Sequence, residues 1–462
     1  MSDAIATYER RRNGIPAGRR ASGPLPKRIV TNPWVWVFLV FTALYAACLW
    51  WQYDVTTRPI QVPGGEIDAM NFSAIRQAAG LAWPTLAFWI VLYLALDRFR
   101  PQRPLFWWLA LGWGAAVSTA ASMVINTWAA SMLGVAGDGD PVQAARTAVF
   151  SAPFVEEATK ASVLFLIAIA VRYQLVSKVT GVVLGGLSAA GFAFTENIIY
   201  YARVIVFSSM QIGAGDPEEA LAEIVRLRGL LLAFGHPLFT TMTAIGVIVA
   251  VRTHSKVVRV LAPLAGYLAA ALLHMMFNFF ASQPIEQSRW AYFFLALPLL
   301  LAVAFYVGRQ LFGEGRRLRT RLADYVRVGW LPETDAEVAG RWWLRFRAGL
   351  VALTYGWGTF VATLRLQRAL TELGYLRDAM VRGIVDAAGD RRARELIDRV
   401  EGLRGTAIDD PRGKRLNLPR LGRFRPRRRR RVAETQPFAP VNSPSAPVGS
   451  YSPVDPRWGP PS

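Results

Sequence analysis

Long apolar blocks constrain this chain more than any other feature. They run near 34–51, 80–96, 105–126, 148–171, 179–201, 229–251, 258–280 and 290–308, and all but one carry at most a single charge. About eighteen to twenty predominantly apolar residues in a row is the length that crosses a bilayer as a helix. Hydrophobic residues make up 53% of the 462, and they arrive in these runs rather than in the periods of soluble helices or strands. The expected fold class is therefore all-α: a polytopic helical membrane protein of about eight transmembrane helices. Sixteen tryptophans, many near block ends, suit an aromatic belt at the membrane interface. The single cysteine, Cys48, excludes an intramolecular disulfide and any thiolate zinc cluster.

A net charge of +21 would ordinarily suggest nucleic acid, but the distribution of the basic residues argues for the membrane instead. With the N-terminus inside, the inner segments hold fifteen Lys and Arg residues, including Arg10, Arg11, Arg12, Arg98, Arg172, Lys178 and Arg259. The outer loops hold seven, among them Arg58, Arg203, Arg226 and Arg228. The bias predicts both termini in the cytoplasm. No nucleic-acid partner is expected.

Four segments follow from composition: a basic cytosolic stretch at 1–33, an eight-span membrane domain at 34–308, a cytosolic or interfacial helical region at 309–405, and a disordered Arg/Pro-rich tail at 406–462. In the third, Pro332-Glu333-Thr334-Asp335 reads as a helix start, and Leu366, Leu370, Leu373, Leu376, Met380 and Ile384 recur every three or four residues. The uncharged stretch 348–364 is expected to pack or lie at an interface rather than form a ninth span, which would carry Arg427–Arg431 outside. That arginine run is expected to hold anionic lipid.

Polar residues inside the blocks carry the chemistry. An ionisable group at mid-membrane costs about 2.5–3.5 kcal/mol on insertion scales and marks function by default. Block four holds Glu156, Glu157 and Lys160; block five, Glu196 and Asn197; block six, His236; block seven, His274 and Asn278. Counting inward from the block ends at 1.5 Å per residue puts Glu156, Glu157, Glu196, His236 and His274 roughly 8–14 Å below the outer surface. Four segments alternating in direction thus place carboxylates, imidazoles and amides in one layer. Such a set can activate water and hold an oxyanion, or bind zinc as a His/carboxylate site. Each residue alone also reads as an interhelical hydrogen bond or buried ion pair. The agreement in depth favours a shared site.

Glu156-Glu157-x-x-Lys160, Phe192-x-x-x-Glu196-Asn197, His236 with Thr240, and His274-x-x-x-Asn278, in this order, resemble the PrsW family of intramembrane proteases. The resemblance covers about residues 80–308 and reaches the wider superfamily of CAAX prenyl proteases and bacteriocin-processing enzymes. It implies peptide-bond hydrolysis by a metallo- or glutamate-type mechanism, in a multi-pass protein of a bacterial plasma membrane. By the same transfer, Glu156 is the general base, Glu157 and Glu196 assist or bind metal, and His274 and Asn278 stabilise the oxyanion. His236 completes the site, Lys160 and Asn197 support it, and His236, His274 and Glu157 are the expected ligands of a divalent metal such as zinc. Lys160 stands one position earlier than the arginine of the CAAX branch, and Glu196 replaces that branch's second-motif histidine. The implied substrate is a single-span membrane protein, such as an anti-sigma factor, cut near its extracytoplasmic face in stress signalling.

Two readings compete from other classes: a transporter or ion-binding protein using the same polar cluster, and a non-catalytic scaffold. A permeation path needs polar residues across the inner halves of the same blocks, and Ala161–Ala170, Val179–Ala190, Met242–Ala250 and Val260–Ala270 are almost wholly apolar.

Overall fold

The computed structural model describes residues 24–417 apart from 63–64, 68, 100–101, 133–147, 172–174, 176, 209–215, 284 and 387. The chain divides into two compact units. One comprises residues up to Glu314 together with Ala379–Gly389; the other comprises Gly315–Asp378 and the chain from Asp390 onward. The N-terminal basic cluster Arg10–Arg20, the acidic stretch 138–140 and the Arg/Pro-rich tail with Arg427–Arg431 lie outside the described residues.

In the first unit, helix α1 spans Pro33–Thr57. A small hairpin of β1 (Ile60–Val62) and β2 (Gly65–Ile67) joins it to α2 (Phe72–Leu96). Next come α3 (Pro104–Met132), α4 (Ala152–Val171) and α5 (Lys178–Ser208). They are followed by α6 (Pro217–Arg226), α7 (Gly235–Val251) and α8 (Lys256–Ala281). Helix α9 (Leu297–Arg327) begins in this unit and ends in the other.

Among the described residues, seven helical segments are long and apolar enough to cross a membrane, and this is a multi-pass membrane protein. The block not among them is α4. Its twenty residues have the length, about 30 Å at 1.5 Å per residue, but it carries Glu156, Glu157 and Lys160. The helix that looks least like a span holds the densest chemistry.

Burial separates centre from periphery. The most apolar stretch of α5 is 78% buried, whereas those of α1 and of the span ending in α9 are each 6% buried. Small residues put α5 in the middle. A Cβ at Gly185 would meet Ala244 of α7, and one at Gly191 would run into the Leu111 carbonyl of α3. Helices that must approach closely in lipid use such positions, because packing rather than a hydrophobic driving force holds them together.

Facing Gly191, helix α3 widens into a π turn at Trp113–Ser118. A π turn disturbs the regular ladder, and neighbours bond its carbonyls: Thr195 Oγ1 donates to the Ala115 oxygen at 2.7 Å and Gln52 Nε2 to the Ala116 oxygen at 3.0 Å. Helix α1 is held from the side by the Gln52 bond and by Tyr45 Oη, which donates to the Leu109 carbonyl at 2.8 Å.

The second unit contains the end of α9, then α10 (Glu333–Gly340), α11 (Trp342–Thr354), most of α12 (Trp357–Val381) and α13 (Ala388–Arg404). Helix α10 starts where Pro332 predicts. Leu366, Leu370, Leu373 and Leu376 form the buried stripe of α12. The uncharged stretch 348–364 is not one helix: Gly356, at φ 116°, breaks it between α11 and α12. Ion pairs brace the unit, with Arg404 donating at 2.7 Å to a fully buried Asp335 and Arg392 at 2.6 Å to Glu372. Packing continues beyond residue 405: Ile408 is buried with its amide on Thr363 Oγ1 at 2.9 Å, and Arg412 reaches Glu337 at 2.6 Å.

Candidate active site

Helix α4 delivers its three ionisable side chains to one place because residues three and four apart share a helix face. Lys160 Nζ is 2.7 Å from Glu157 Oε1 and 3.5 Å from Glu156 Oε2, and all three side chains are buried. The ammonium also lies 2.9 Å from His236 Nδ1 on α7 and 4.3 Å from the centroid of the Phe192 ring on α5. Ser188 Oγ donates to the Lys160 carbonyl at 2.8 Å, pinning that turn of α4 to α5.

Glu157 is saturated. Its Oε1 meets Lys160 and, at 3.1 Å, His274 Nδ1; its Oε2 accepts from Thr240 Oγ1 at 2.7 Å. A carboxylate that accepts a hydrogen bond from the Nδ1–H of a histidine fixes the tautomer and leaves the Nε2 lone pair free. His274 Nε2 faces Glu156 Oε2 at 3.9 Å, and the ring lies stacked on Phe239 at 4.9 Å between centroids. Both nitrogens are thus accounted for: one anchored, one presented.

Glu196 anchors the second histidine. Its Oε2 is 2.8 Å from His236 Nε2 and 2.6 Å from an Arg228 terminal nitrogen, while Arg228 Nε donates to Asn197 Oδ1 at 2.9 Å. The guanidinium also sits 3.9 Å from the centroid of the Tyr200 ring. Arg228 occupies a π turn, Leu227–Leu231, between α6 and α7. Sequence reasoning counted it among the loop charges and missed its role. The available signal was an arginine eight residues before His236, at the edge of an uncharged run.

Five of the six expected catalytic residues come together: Glu156, Glu157, Glu196, His236 and His274. Lys160 and Asn197 stand beside them. Asn278, one turn beyond His274, uses its Nδ2 to donate to the Ala148 carbonyl at 2.8 Å, which ties α8 to the chain entering α4. Counted as ionised groups, the carboxylates of Glu156, Glu157 and Glu196 face the cations of Lys160 and Arg228, so one negative charge is left to be balanced by a proton or a metal.

The donor set fits a divalent metal. One ligand atom each from Glu156, His236 and His274 lie within 4.8 Å of one another. Two imidazoles and a carboxylate are a donor set that catalytic zinc takes with one position left open. Glu156 replaces Glu157 in the expected trio because both Glu157 oxygens are already bonded; His236, held by Glu196 through Nε2, can serve only through Nδ1, where a metal would displace the Lys160 ammonium now 2.9 Å away.

Residues 102–305 match the family model described as PrsW family intramembrane metalloprotease. Comparison with curated proteins and with solved structures found no match. The matched stretch runs from the start of α3 into α9 and contains every residue of the cluster, including Arg228 and Thr240, which fits an intramembrane peptidase domain of the kind the description names. Over residues 102–305, this chain is similar to the PrsW family of intramembrane metalloproteases.

Proposed function

We propose that the protein hydrolyses peptide bonds of single-span membrane proteins near their extracytoplasmic face, with both of its own termini in the cytoplasm. The observation that supports this best is the division of labour between adjacent carboxylates. Glu157 is held by three donors, whereas Glu156 meets only Lys160 at 3.5 Å and faces His274 Nε2. Glu156, His236 and His274 would hold the metal, with zinc the first candidate. When bound, it supplies Lewis-acid polarisation of a carbonyl and of water.

The chain's own groups do the rest. Glu157 and Thr240 hold His274 in a single tautomer, and Glu196 with Arg228 holds His236. Glu156 would hold the metal through one oxygen, and its other oxygen is placed to take a proton from water; Lys160, beside it, is placed to balance charge as that proton moves. Surrounding apolar side chains such as Phe192 and Phe239 exclude bulk water, which strengthens each of these interactions.

Transport is the weaker reading. Beyond the cluster, α4, α5 and α7 bury Leu164, Ile167, Val183, Leu184, Val247 and Ile248, an apolar plug rather than a polar path. Cleavage of anti-sigma factors in stress signalling is the biological role proposed for the activity. The deciding experiment is a proteolysis assay in liposomes with a model single-span substrate, comparing wild type, Glu156→Gln and chelator-treated protein. Products from wild type alone support the reading; undiminished cleavage by Glu156→Gln overturns it.

A further inference from the structure

Helix α11 has two unlike faces. One buries Arg345, Ala348, Val351 and Ala352, the last three against Ile408 and Phe360. The other exposes Trp342, Trp343, Phe346, Leu350 and Leu353, each between 41% and 57% exposed. At 100° per residue these five fall in a stripe about 100° wide. The three aromatic rings form one cluster, with centroids 5.7 to 6.3 Å apart. Trp357, just past the Gly356 break, is 71% exposed.

An exposed, contiguous apolar face of this kind calls for a partner. Three observations identify it as lipid. First, the aromatic composition is that of helices lying at headgroup level, and thirteen residues are too few to cross a bilayer. Second, the charge is one-sided: from Arg341 to Thr371 there is no carboxylate, and Arg341 and Arg347 are exposed beside the stripe. Lys414 and Arg415 add two more exposed cations where residue 417 bonds to the end of α11 through Thr354. Third, α9 runs unbroken from an apolar span into the second unit, so this unit cannot diffuse away from a membrane.

We propose that the exposed face of α11 lies in the headgroup region of an anionic bilayer, inserting its three aromatic side chains with its flanking arginines on lipid phosphate. Such a helix buries its apolar side a few ångströms into the headgroup boundary and draws on anionic lipid electrostatically. The contact is separate from any made by the arginine run at 427–431, because it uses a folded face.

The test uses the full chain in nanodiscs of phosphatidylcholine and phosphatidylglycerol. In a Cys48→Ser background, single cysteines replace Phe346, Leu350 or, as a control on α13, the exposed Arg394, and each is labelled with an environment-sensitive fluorophore. Nitroxide lipids should quench the label at 346 and 350 at least about three-fold more than at 394, and dithionite should reduce those labels correspondingly slowly. No lipid quenching at 346 and 350 overturns the proposal: rapid dithionite reduction would then mean a face bare in water, and slow reduction a face covered by protein. Equal quenching in phosphatidylcholine alone would overturn the part assigned to the arginines.

Discussion

Arg228 and His236 meet on a single oxygen of Glu196, at 2.6 and 2.8 Å. The arginine touches no residue of the proposed metal trio, yet it fixes the carboxylate that orients one of them. Loss of such an outer partner typically lowers metal affinity or activity by about 10–100-fold. Arg228→Gln should therefore fall in that range in the vesicle assay while remaining inserted, and Arg228→Lys should recover part of the loss. Wild-type rates for Arg228→Gln would remove the arginine from the site's function.

The two neighbouring glutamates should fail differently. Glu156→Gln is expected to abolish cleavage, by about two to four orders of magnitude for loss of a general base, with normal expression and melting. Glu157→Gln strips charge from the group that holds Lys160, Thr240 and His274, and breaking a buried pair in this way costs about 3–5 kcal/mol. Its signature is a lowered melting temperature or lost expression. Thermal denaturation in detergent separates the two cases, and identical melting of both variants would contradict the distinction.

Metal content is a direct readout that does not depend on a substrate. Purified protein should carry about one zinc per chain by elemental analysis. His274→Ala should lose it, and Asn278→Ala should keep it, since the Asn278 amide goes to the Ala148 carbonyl. Metal retained by His274→Ala would redirect the assignment of the ligands.

Orientation can be checked by cysteine labelling in intact cells. With both termini cytoplasmic, cysteines at Gly64 and Gly215 should react with a membrane-impermeant reagent, and those at His254 and Ser443 should not. Reaction at 443 alone would place an odd number of crossings before the tail.

Much of this was readable from the chain. Apolar length alone located the helices, and agreement in depth grouped Glu156, Glu196, His236 and His274. What depth could not give is rotation about each helix axis. Whether Glu156 or Glu157 faces the histidines depends on a 100° step, and only the partners Thr240 and Lys160 fix it. Arg228 escaped because a π turn carries it from the loop into the cluster, and π turns leave no periodic trace in sequence. Asn278 matched the motif, but its bond runs to a backbone carbonyl, which no residue pattern encodes. The break in 348–364 had a local signal in Gly356, and the packing of 406–417 was hidden behind its Pro/Arg composition.

The charge on α4 also bears on the order of assembly. During synthesis this helix leaves the ribosome before α7 and α8, so Thr240, His236 and His274 do not yet exist to receive its side chains. Until they arrive, only the internal contacts of Lys160 with Glu157 and Glu156 offset the insertion penalty of three ionisable groups. Helix α4 therefore has reason to wait at the translocon or the membrane surface until its partners emerge. The proteolytic centre would then form as one of the last events of biogenesis, and a chain truncated before α8 should leave α4 loosely inserted and open to degradation rather than prematurely active.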